Sequence, residues 1–294
     1  MLQQNYDAEI VDYGDVRLEN EKNLHPPVEF SVRNLNVLGP LLGKLHHQVA
    51  NIVQKQSEDM LLTIGGDHSI GAATVTGAKR VHPDLRVVWV DAHPDCTNSQ
   101  LRNPTKMHYE NYHGMPLSHI TGMAQIPKLP YWSWLTELPQ LDPKNVVLIA
   151  SRDIDKDEYH TLKHFGVKCF TMDHIDKYGI GDVMTQTINY LDPKNQHPFH
   201  LSFDVDGIDP SVVGQTGTLF RYGLSARESV HIVRRLIHER KMVSMDIVEI
   251  NEDFEKNESK RKPYRGEGDL SPVTKTVGMG IDLMSSLFTK YLEL

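Results

Sequence analysis

One largely apolar stretch of the chain, residues 200–203, ends abruptly in the three aspartates Asp204, Asp206 and Asp209. Because successive side chains of an extended chain alternate between its two faces, Asp204 and Asp206 are expected to point the same way beyond the strand end. Two like charges held this close need a counter-charge, since buried ionised carboxylates are costly unless they are paired or bind a metal. The pattern therefore predicts a cation site at the end of a strand.

Two more strand-like runs end in the same way. Arg86 to Val90 leads into Asp91-Ala92-His93-Pro94-Asp95, again with candidate ligands at alternate positions, and residues 60–64 lead into Gly65-Gly66-Asp67-His68-Ser69. Chance helix caps would not recur at positions i and i+2 after two apolar strands. Three strand ends that supply Asp and His side chains indicate one shared site.

Strand-like and helix-like stretches alternate along the chain. This alternation predicts an α/β fold, a three-layer doubly wound parallel sheet with helices on both faces. We predict strands over residues 9–13, 60–64, 86–90, 145–150, 167–172, 200–203 and 242–250. Helices are predicted over residues 31–53, 69–79, 159–164, 180–191 and 225–240. The first has Ser31 as its N-cap and an irregularity at Pro40. The last begins with a capping box from Ser225 to Glu228.

In parallel sheets, ligands bind beyond the carboxyl ends of the strands. This rule brings the acidic strand ends together on one edge, along with residues 151–155 and Glu249. A polar loop from Cys96 to Tyr112 follows the second acidic strand end. Long loops beside a site commonly carry function, so this loop is expected to border the site.

Length and composition narrow the class of protein. The 294 residues, with 39% hydrophobic and 24% charged residues, fit one α/β domain over residues 1–294. A net charge of −8 argues against nucleic acid or an anionic membrane as the main partner. Two cysteines, Cys96 and Cys169, favour a reducing compartment over a disulfide framework. Without a leader-like N-terminus or an apolar run near the ~20 residues of a membrane span, a cytoplasmic protein is expected.

The candidate ligands are four carboxylates and two imidazoles. They are His68, Asp91, His93, Asp95, Asp204 and Asp206. An oxygen-rich set with some nitrogen and no thiolate suits Mn²⁺ better than Ca²⁺ or Zn²⁺, and four negative charges match two divalent cations. Two such ions about 3.5–4 Å apart can lower the pKa of a bridging water toward neutrality. The alternative for a single Asp is a helix cap or turn former, and for a single His it is a core residue with satisfied hydrogen bonds. We favour this structural alternative for Asp67, Asp209 and Ser69.

The segments Gly65 to Ser69, Asp91 to Asp95 and Ser202 to Pro210 together resemble the three signatures of the arginase (ureohydrolase) family. The resemblance covers nearly the whole chain in order. It implies the arginase-like fold and a site for two Mn²⁺ made by the six ligands, with Asp95 and Asp204 in the positions that bridge the metals. It also implies a homo-oligomer, a trimer or hexamer.

The resemblance implies roles for further residues. Asp95 matches the carboxylate that relays the nucleophile's proton to the leaving amine, and His113 matches the proton-shuttle histidine. Glu249 matches the carboxylate that pairs with the substrate guanidinium. Thr218 matches a hydroxyl near that guanidinium, and the acids that receive the substrate α-amino group in arginases match Asp155 and Glu158.

Each of these residues also has an ordinary structural interpretation. His113 precedes a glycine and could begin a helix, and Glu249 could be an exposed residue at a strand end. Asp155 and Glu158 open a predicted helix, where the helix dipole favours acids whatever the substrate.

The chain departs from the family pattern at the amino-acid end of the substrate pocket. Thr97 stands where arginases usually carry an Asn that binds the substrate α-carboxylate, and Asn98 follows one position later. The loop before His113 is longer than usual, with Tyr109 where a serine is common. Leu219 follows Thr218 where the family generally has Pro.

The predicted function is a manganese-dependent amidino hydrolase that converts L-arginine and water to L-ornithine and urea through a metal-bridging hydroxide. One alternative is a hydrolase of another guanidino compound, such as agmatine or a guanidino acid. Another is a metal-bound, catalytically weak protein that binds arginine or serves as a subunit of a complex. The substituted loop from Cys96 to Tyr112 keeps the second alternative open.

Overall fold

The computed structural model of the chain describes residues 10–17, 32–55, 59–98, 111–125, 128–239, 241–251 and 272–287. The strands in these ranges are β1 Leu61–Ile64, β2 Arg86–Val90, β3 Val146–Ser151, β4 Lys168–Thr171, β5 Pro198–Asp204 and β6 Lys241–Val248. They form one sheet in the order β1-β6-β5-β2-β3-β4, and every neighbouring pair is parallel. The predicted parallel sheet is confirmed.

Helices cover both faces of the sheet. The described helices are α1 Leu35–Lys55, α2 Gly71–Val81, α3 Pro116–Ile120, α4 Ser133–Thr136, α5 Lys156–Phe165, α6 Met172–Leu191, α7 Ala226–Glu239 and α8 Pro272–Ser286. Helices α1, α2 and α3 pack in one core with Val87 and Trp89, whereas α6, α7 and α8 pack in another with Val88 and Val90. Since successive residues of β2 enter opposite cores, the sheet is the middle of three layers, as predicted.

Burial on both faces explains why the strands are nearly continuous apolar runs. Every residue of β3 is buried, and so is every residue of β2 after Arg86. Buried polar residues within the strands include His200 and Ser202 on β5 and Ser244 and Asp246 on β6. Buried polar groups need hydrogen-bond partners, so these positions indicate an internal polar network.

The first predicted strand is wrong for its described part. Ile10 to Tyr13 is irregular and exposed, and Val11 keeps 53% of its surface accessible. A strand needs a hydrogen-bonded neighbour, and none of the described strands pairs with this segment. The apolar residues of this segment predicted a strand, but they carry no information on whether a neighbouring strand is available.

Two helix starts also differ from expectation. Helix α1 begins at Leu35, after Asn34 with a φ of 62°, and continues through Pro40, whereas Ser31 lies outside the described residues. Helix α6 begins at Met172 rather than at residue 180, and it has a break in the helical backbone at Gly179, where φ is 77°. Glycine adopts this left-handed conformation without a steric penalty, so the predicted start marks the break inside one longer element.

Both cysteines are free thiols. Burial raises the pKa of Cys96 and of Cys169, so neither is a reactive thiolate near neutral pH. In the part of the chain described, no helix is long and apolar enough to cross a membrane.

Candidate metal centre

The acidic segments after three strands meet at one edge of the sheet. Strands β2 and β5 are neighbours, and Val90 pairs with Phe203 near their carboxyl ends. Asp91 and Asp204 come next along each strand and therefore lie side by side. His68, in the short 3₁₀ helix after β1, completes the group, since its Nδ1 lies 2.9 Å from Asp91 Oδ2.

Side chain to backbone hydrogen bonds hold these carboxylates in place. Asp91 Oδ1 accepts from the N–H of His93 at 2.6 Å, and Asp204 Oδ1 accepts from the N–H of Asp206 at 2.7 Å. Asp206 Oδ1 accepts from the N–H of Ala92 at 3.1 Å, which links the two segments. The i, i+2 spacing in the sequence is therefore the spacing of turns closed by aspartate side chains, and strand alternation ends at Asp204.

Each histidine faces several carboxylates. His68 Nδ1 lies 2.9 Å from an oxygen of Asp91, 2.9 Å from one of Asp95 and 3.3 Å from one of Asp204. His93 Nδ1 lies 3.0 Å from Asp206 Oδ2 and 3.3 Å from Asp91 Oδ1. All six predicted ligands are thus brought together around the Nδ1 atoms of the two imidazoles.

Two groups of these side chains have the geometry to hold a metal ion. One consists of His68, Asp91 and Asp204, and the other of Asp91, His93 and Asp206. Asp91 belongs to both groups, whereas Asp95 contacts only the first histidine within salt-bridge distance. The geometry therefore favours Asp91 as the shared ligand, whereas the family resemblance implies bridging by Asp95 and Asp204.

The carboxylates carry more negative charge than the buried site can easily hold. Burial, with nearby carboxylates, raises the pKa of Asp95 and Asp204 well above the usual range, and it raises that of Asp206 to about 6. Burial also opposes ionisation of Asp91, but hydrogen bonds from both histidines outweigh it and lower this pKa. A site that binds protons where charges crowd together is also a site that attracts cations.

Burial would lower the pKa of both histidines, but the carboxylates around them reverse the shift. The pKa of His93 is raised to about 12 by hydrogen bonds to Asp206 and Asp91, and that of His68 is raised well above 6.5. Without a metal, the site therefore favours protons on the two imidazoles, and a divalent cation would compete with these protons.

The residues fit a pair of divalent metal ions. Asp95 Oδ2 is buried and makes no hydrogen bond to a described residue, although it lies near His68. Four carboxylates and two imidazoles provide hard oxygen donors with some nitrogen, which are suitable ligands for divalent ions such as Mn²⁺. A buried carboxylate oxygen without a hydrogen bond inside such a cluster is suited to act as a metal ligand.

A chain of hydrogen bonds orients His68 from behind. Its Nε2 lies 2.9 Å from Ser202 Oγ, and this hydroxyl donates to Asp246 Oδ1 at 2.6 Å. The single proton of Ser202 is used toward Asp246, so the hydroxyl accepts from Nε2–H of His68. In the neutral ring, the lone pair is then on Nδ1, which faces the carboxylates and is ready to bind a metal.

Asp246 is the end point of this network. Its Oδ2 accepts from Thr74 Oγ1 at 2.5 Å and lies 3.0 Å from His200 Nε2. Sequence reasoning missed these supporting residues. Their signal was polar side chains inside otherwise apolar strands, such as Ser202 and Asp246.

An open cleft lies against this centre, and most of the predicted site residues line it. They are His68, His93, Asp95, Thr97, His113, Asp155, Glu158, Asp204, Asp206, Thr218 and Glu249. Two predicted site residues do not line the cleft. Asp91 is fully buried, and the Nδ2–H of Asn98 donates to the Met123 carbonyl at 3.1 Å. Asp153 and Gly114, to which no role was assigned, also line the cleft.

Glu249 and His113 face each other in the cleft. Glu249 Oε1 accepts from the N–H of His68 at 2.9 Å and lies 3.4 Å from His113 Nδ1. This contact with Glu249 raises the pKa of His113. Glu249 has a φ of 63° and Asp95 one of 49°, a strained conformation for both, and such strain concentrates at functional sites.

Asp155 and Glu158 form a capping box at the start of α5. Glu158 N–H donates to Asp155 Oδ1 at 2.8 Å, and Asp155 N–H donates to Glu158 Oε2 at 3.2 Å. Burial raises the pKa of Glu158 to about 7. The structural interpretation of this pair is therefore correct, but the same two side chains also line the cleft.

Arg152 holds the loops around the centre together, a role that sequence reasoning missed. Its Nη2 donates to the carbonyls of Asp206 and Phe220, each at 2.7 Å. Nη1 donates to the Gly207 carbonyl at 3.1 Å, and Nε donates to that of Arg221 at 3.0 Å. One guanidinium thus fixes the segment after β5 against residues 220–221, close in sequence to Thr218.

Two aspartates of the motifs are turn formers, as predicted. Asp67 Oδ1 accepts from the N–H of Ser69 at 3.1 Å. Asp209 Oδ2 accepts from the N–H groups of Tyr222 and Gly223, at 2.8 and 3.1 Å. Neither is among the described residues that line the cleft.

Comparisons of sequence identify the family. The model of the arginase family matches residues 2–286. The chain is 37% identical over 287 residues to the hepatic arginase of Aquarana catesbeiana, covering 97% of this chain and 82% of that protein. It is 34% identical over 284 residues to arginase-1 of Homo sapiens, covering 96% of this chain and 81% of that protein.

Solved structures give the same result. The arginase from Bacillus caldovelox superimposes with a TM-score of 0.79 at 31% identity, covering 96% of this chain and 85% of that one. The arginase from Bacillus subtilis gives a TM-score of 0.79 at 28% identity, covering 99% and 88%. With the fold, the ligand cluster and these matches in agreement, the chain belongs to the arginase family and is an amidino hydrolase.

Proposed function

We propose that this protein hydrolyses L-arginine to L-ornithine and urea with two Mn²⁺ bound per subunit. The observation that carries the proposal is the pair of ligand groups that share Asp91 beside a cleft lined by further carboxylates. A cluster of anionic ligands suits divalent cations, and the carboxylates of the cleft suit a cationic substrate such as a guanidinium compound.

The six ligands would hold the two Mn²⁺. His68 and Asp204, with Asp95 nearby, would hold one ion, and His93 and Asp206 would hold the other, with Asp91 available to both. When bound, such a pair of ions lowers the pKa of a shared water toward neutrality and so supplies hydroxide at pH 7. Hydroxide is needed because resonance spreads the charge of a guanidinium and makes its carbon a poor electrophile.

We assign Glu249 to the substrate guanidinium. The hydrogen bond from His68 N–H fixes its Oε1 at 2.9 Å. Beside Oε2 lies Gly217, where a Cβ would come within 3.1 Å, so the missing side chain leaves this oxygen open. A carboxylate fixed in this way can bind a planar guanidinium by two parallel hydrogen bonds and orient its carbon for attack.

The departing alkyl amine is a strong base and must leave protonated. Asp95 Oδ2 makes no hydrogen bond to a described residue and is able to accept a proton and pass it to the leaving nitrogen. His113 keeps 38% of its side chain exposed while contacting Glu249, so it can exchange protons between the cleft and solvent.

A second candidate is the hydrolysis of a guanidino compound without an α-carboxylate, such as agmatine. Among the described residues that line the cleft, none is Lys or Arg, so no fixed cation there pairs with a carboxylate. A substrate without a carboxylate does not need such a cation for binding.

One assay separates these functions. After loading with Mn²⁺, urea release is measured from L-arginine, agmatine and 4-guanidinobutyrate. The proposal predicts the highest kcat/KM for arginine, and preference for agmatine would support the second candidate. Absence of urea from all three, with two Mn²⁺ bound, would contradict both and favour a binding protein.

We further propose a homo-oligomer, a trimer or hexamer, on the strength of the family resemblance, and a cytoplasmic location because two free cysteines favour a reducing compartment. Light scattering of the Mn²⁺-loaded protein measures the subunit number directly. A monomer at micromolar concentration would contradict this part of the proposal.

Replacing Asp246 with Asn should weaken Mn²⁺ binding about 10- to 100-fold, the range known for outer-shell partners of metal ligands. The amide keeps one acceptor oxygen, so either Ser202 or the pair His200 and Thr74 loses its partner. Calorimetric Mn²⁺ titration checks this. The control is Asp192→Asn, a buried aspartate that accepts from backbone N–H groups; equal weakening in both variants would contradict the relay to His68.

The stabilisation by Mn²⁺ should increase from pH 6 to pH 8. His93, with its pKa raised to about 12, contributes stability to the metal-free protein below pH 6.5 and loses it as pH rises toward 12. Asp206, with its pKa raised to about 6, contributes stability that is fully present below pH 3.8 and is lost as the pH rises through 6. Metal-free protein is therefore less stable at pH 8 than at pH 6, while fewer protons compete with the metal. Thermal unfolding with Mn²⁺ and with chelator measures the difference; a larger metal effect at pH 6 would contradict this prediction.

A further inference from the structure

Thr97 connects two walls of the cleft. Its backbone N–H donates to the Gly114 carbonyl at 2.9 Å, next to His113. Its hydroxyl donates to Glu158 Oε1 at 3.1 Å, in the first turn of α5. The Thr97 carbonyl accepts from Ser118 Oγ at 3.0 Å. All three polar atoms of this buried residue therefore serve to join the loop after β2 to its surroundings.

The hydroxyl of Thr97 fixes a carboxylate whose other hydrogen bond to the described residues lies within the first turn of its own helix. Glu158 Oε2 accepts from the N–H of Asp155 at 3.2 Å, a bond of the capping box. The bond from Thr97 to Oε1 ties Glu158 to a different part of the chain, 61 residues away in sequence. Each carboxylate oxygen has two acceptor positions, so Glu158 can still receive a hydrogen bond from a ligand.

The part of the cleft near α5 is suited to a cation. Asp153, Asp155 and Glu158 all line it, and no Lys or Arg is present among the described lining residues. An ammonium group placed there finds several carboxylates, one of which is already held in a single orientation. Since that orientation is fixed before binding, less side-chain freedom is lost when the ligand arrives.

We propose that Thr97 is a positioning residue that determines specificity. Thr97 holds the Glu158 carboxylate in place, and Glu158 and Asp155 then bind the substrate amino group at the end remote from the guanidinium. This inference rests on the proposed function. Because the amino group takes no part in bond breaking, its contact is made equally in the ground state and the transition state. Loss of the contact should therefore raise KM and leave kcat nearly unchanged.

The test compares three variants and three substrates. Thr97→Val removes the hydroxyl at nearly constant volume, Thr97→Ser keeps it, and Thr161→Val removes a buried hydroxyl of α5 that donates to the Asp157 carbonyl at 2.9 Å. L-Arginine and agmatine carry the remote amino group, whereas 5-guanidinopentanoate is arginine without it. Thr97→Val should raise KM for arginine and agmatine about 10-fold, and change kcat less than about twofold. KM for 5-guanidinopentanoate should not change, and Thr97→Ser and Thr161→Val should resemble the parent protein.

An equal rise of KM for all three substrates, or the same rise in Thr161→Val, would overturn the inference and leave Thr97 a structural residue. If the parent protein releases urea from no guanidino compound, the proposed function fails by itself. Calorimetry on the Mn²⁺-loaded protein then still tests Thr97, with L-ornithine and with 5-aminopentanoate, which lacks the α-amino group. Thr97→Val should weaken only ornithine binding, about 10-fold; unchanged ornithine binding would overturn the inference.

Discussion

Replacing Glu249 with Gln should lower kcat/KM for L-arginine about 10²- to 10³-fold, the effect of losing one charge of a shielded ion pair. The glutamine oxygen can still accept from the N–H of His68, so the local backbone is retained. What is lost is the charge and one of the two acceptor oxygens that a planar guanidinium needs. The measurement is steady-state urea release, with Mn²⁺ content determined in the same sample.

The control for this variant is Glu228→Gln, in which the carboxylate closes the capping box of α7 with Ser225, away from the cleft. It should cost some stability and leave kcat/KM unchanged. Activity of Glu249→Gln within about threefold of the parent protein, far below the loss expected for a broken ion pair, would remove Glu249 from the guanidinium site.

The acidic edge of the sheet could be predicted because it depends on local sequence and one rule of topology. Apolar runs that end in Asp91 and Asp204 indicate buried parallel strands, and the carboxyl ends of parallel strands share one edge. Neither step needs information on distant contacts. The pairing of Val90 with Phe203 then brings these two aspartates together as a consequence of register.

Features that depend on contacts between distant segments could not be predicted. Arg152 binds carbonyls up to 69 residues away, and nothing in its neighbourhood in the sequence indicates those partners. The bond between Thr97 and Glu158 is of the same kind. The family resemblance identified both cleft residues, but it could not show that the hydroxyl of Thr97 is used inside the protein, because the usual residue at that position is different.

The sharing of Asp91 by both metal groups is also a three-dimensional result. In the sequence, Asp91, His93 and Asp95 are equivalent ligands at alternate positions. In the structure, the chain turns after Asp91, and Asp95 adopts a φ of 49°. Asp91 therefore stays between the two imidazoles, whereas Asp95 approaches only His68.

Replacing Asp91 with Asn should lower arginine turnover on the order of 10³-fold or more, because both metal groups lose an anionic ligand and with it the supply of hydroxide. Asparagine has nearly the same volume and can still accept the N–H of His93, so the turn is kept. Metal analysis and the rise of Tm on adding Mn²⁺ report binding independently of turnover, since a ligand stabilises the folded protein according to its affinity. Asp209→Asn, a turn aspartate of the third motif, should keep both metal equivalents.

A comparison of Asp91→Asn with Asp95→Asn then decides which carboxylate bridges. If Asp91 is shared, its replacement weakens both equivalents of Mn²⁺, while replacement of Asp95 weakens only the one beside His68. Bridging by Asp95 requires the reverse order. Since the two residues are four positions apart and both are buried, general destabilisation would affect them alike, and only the number of weakened metal sites distinguishes the two assignments.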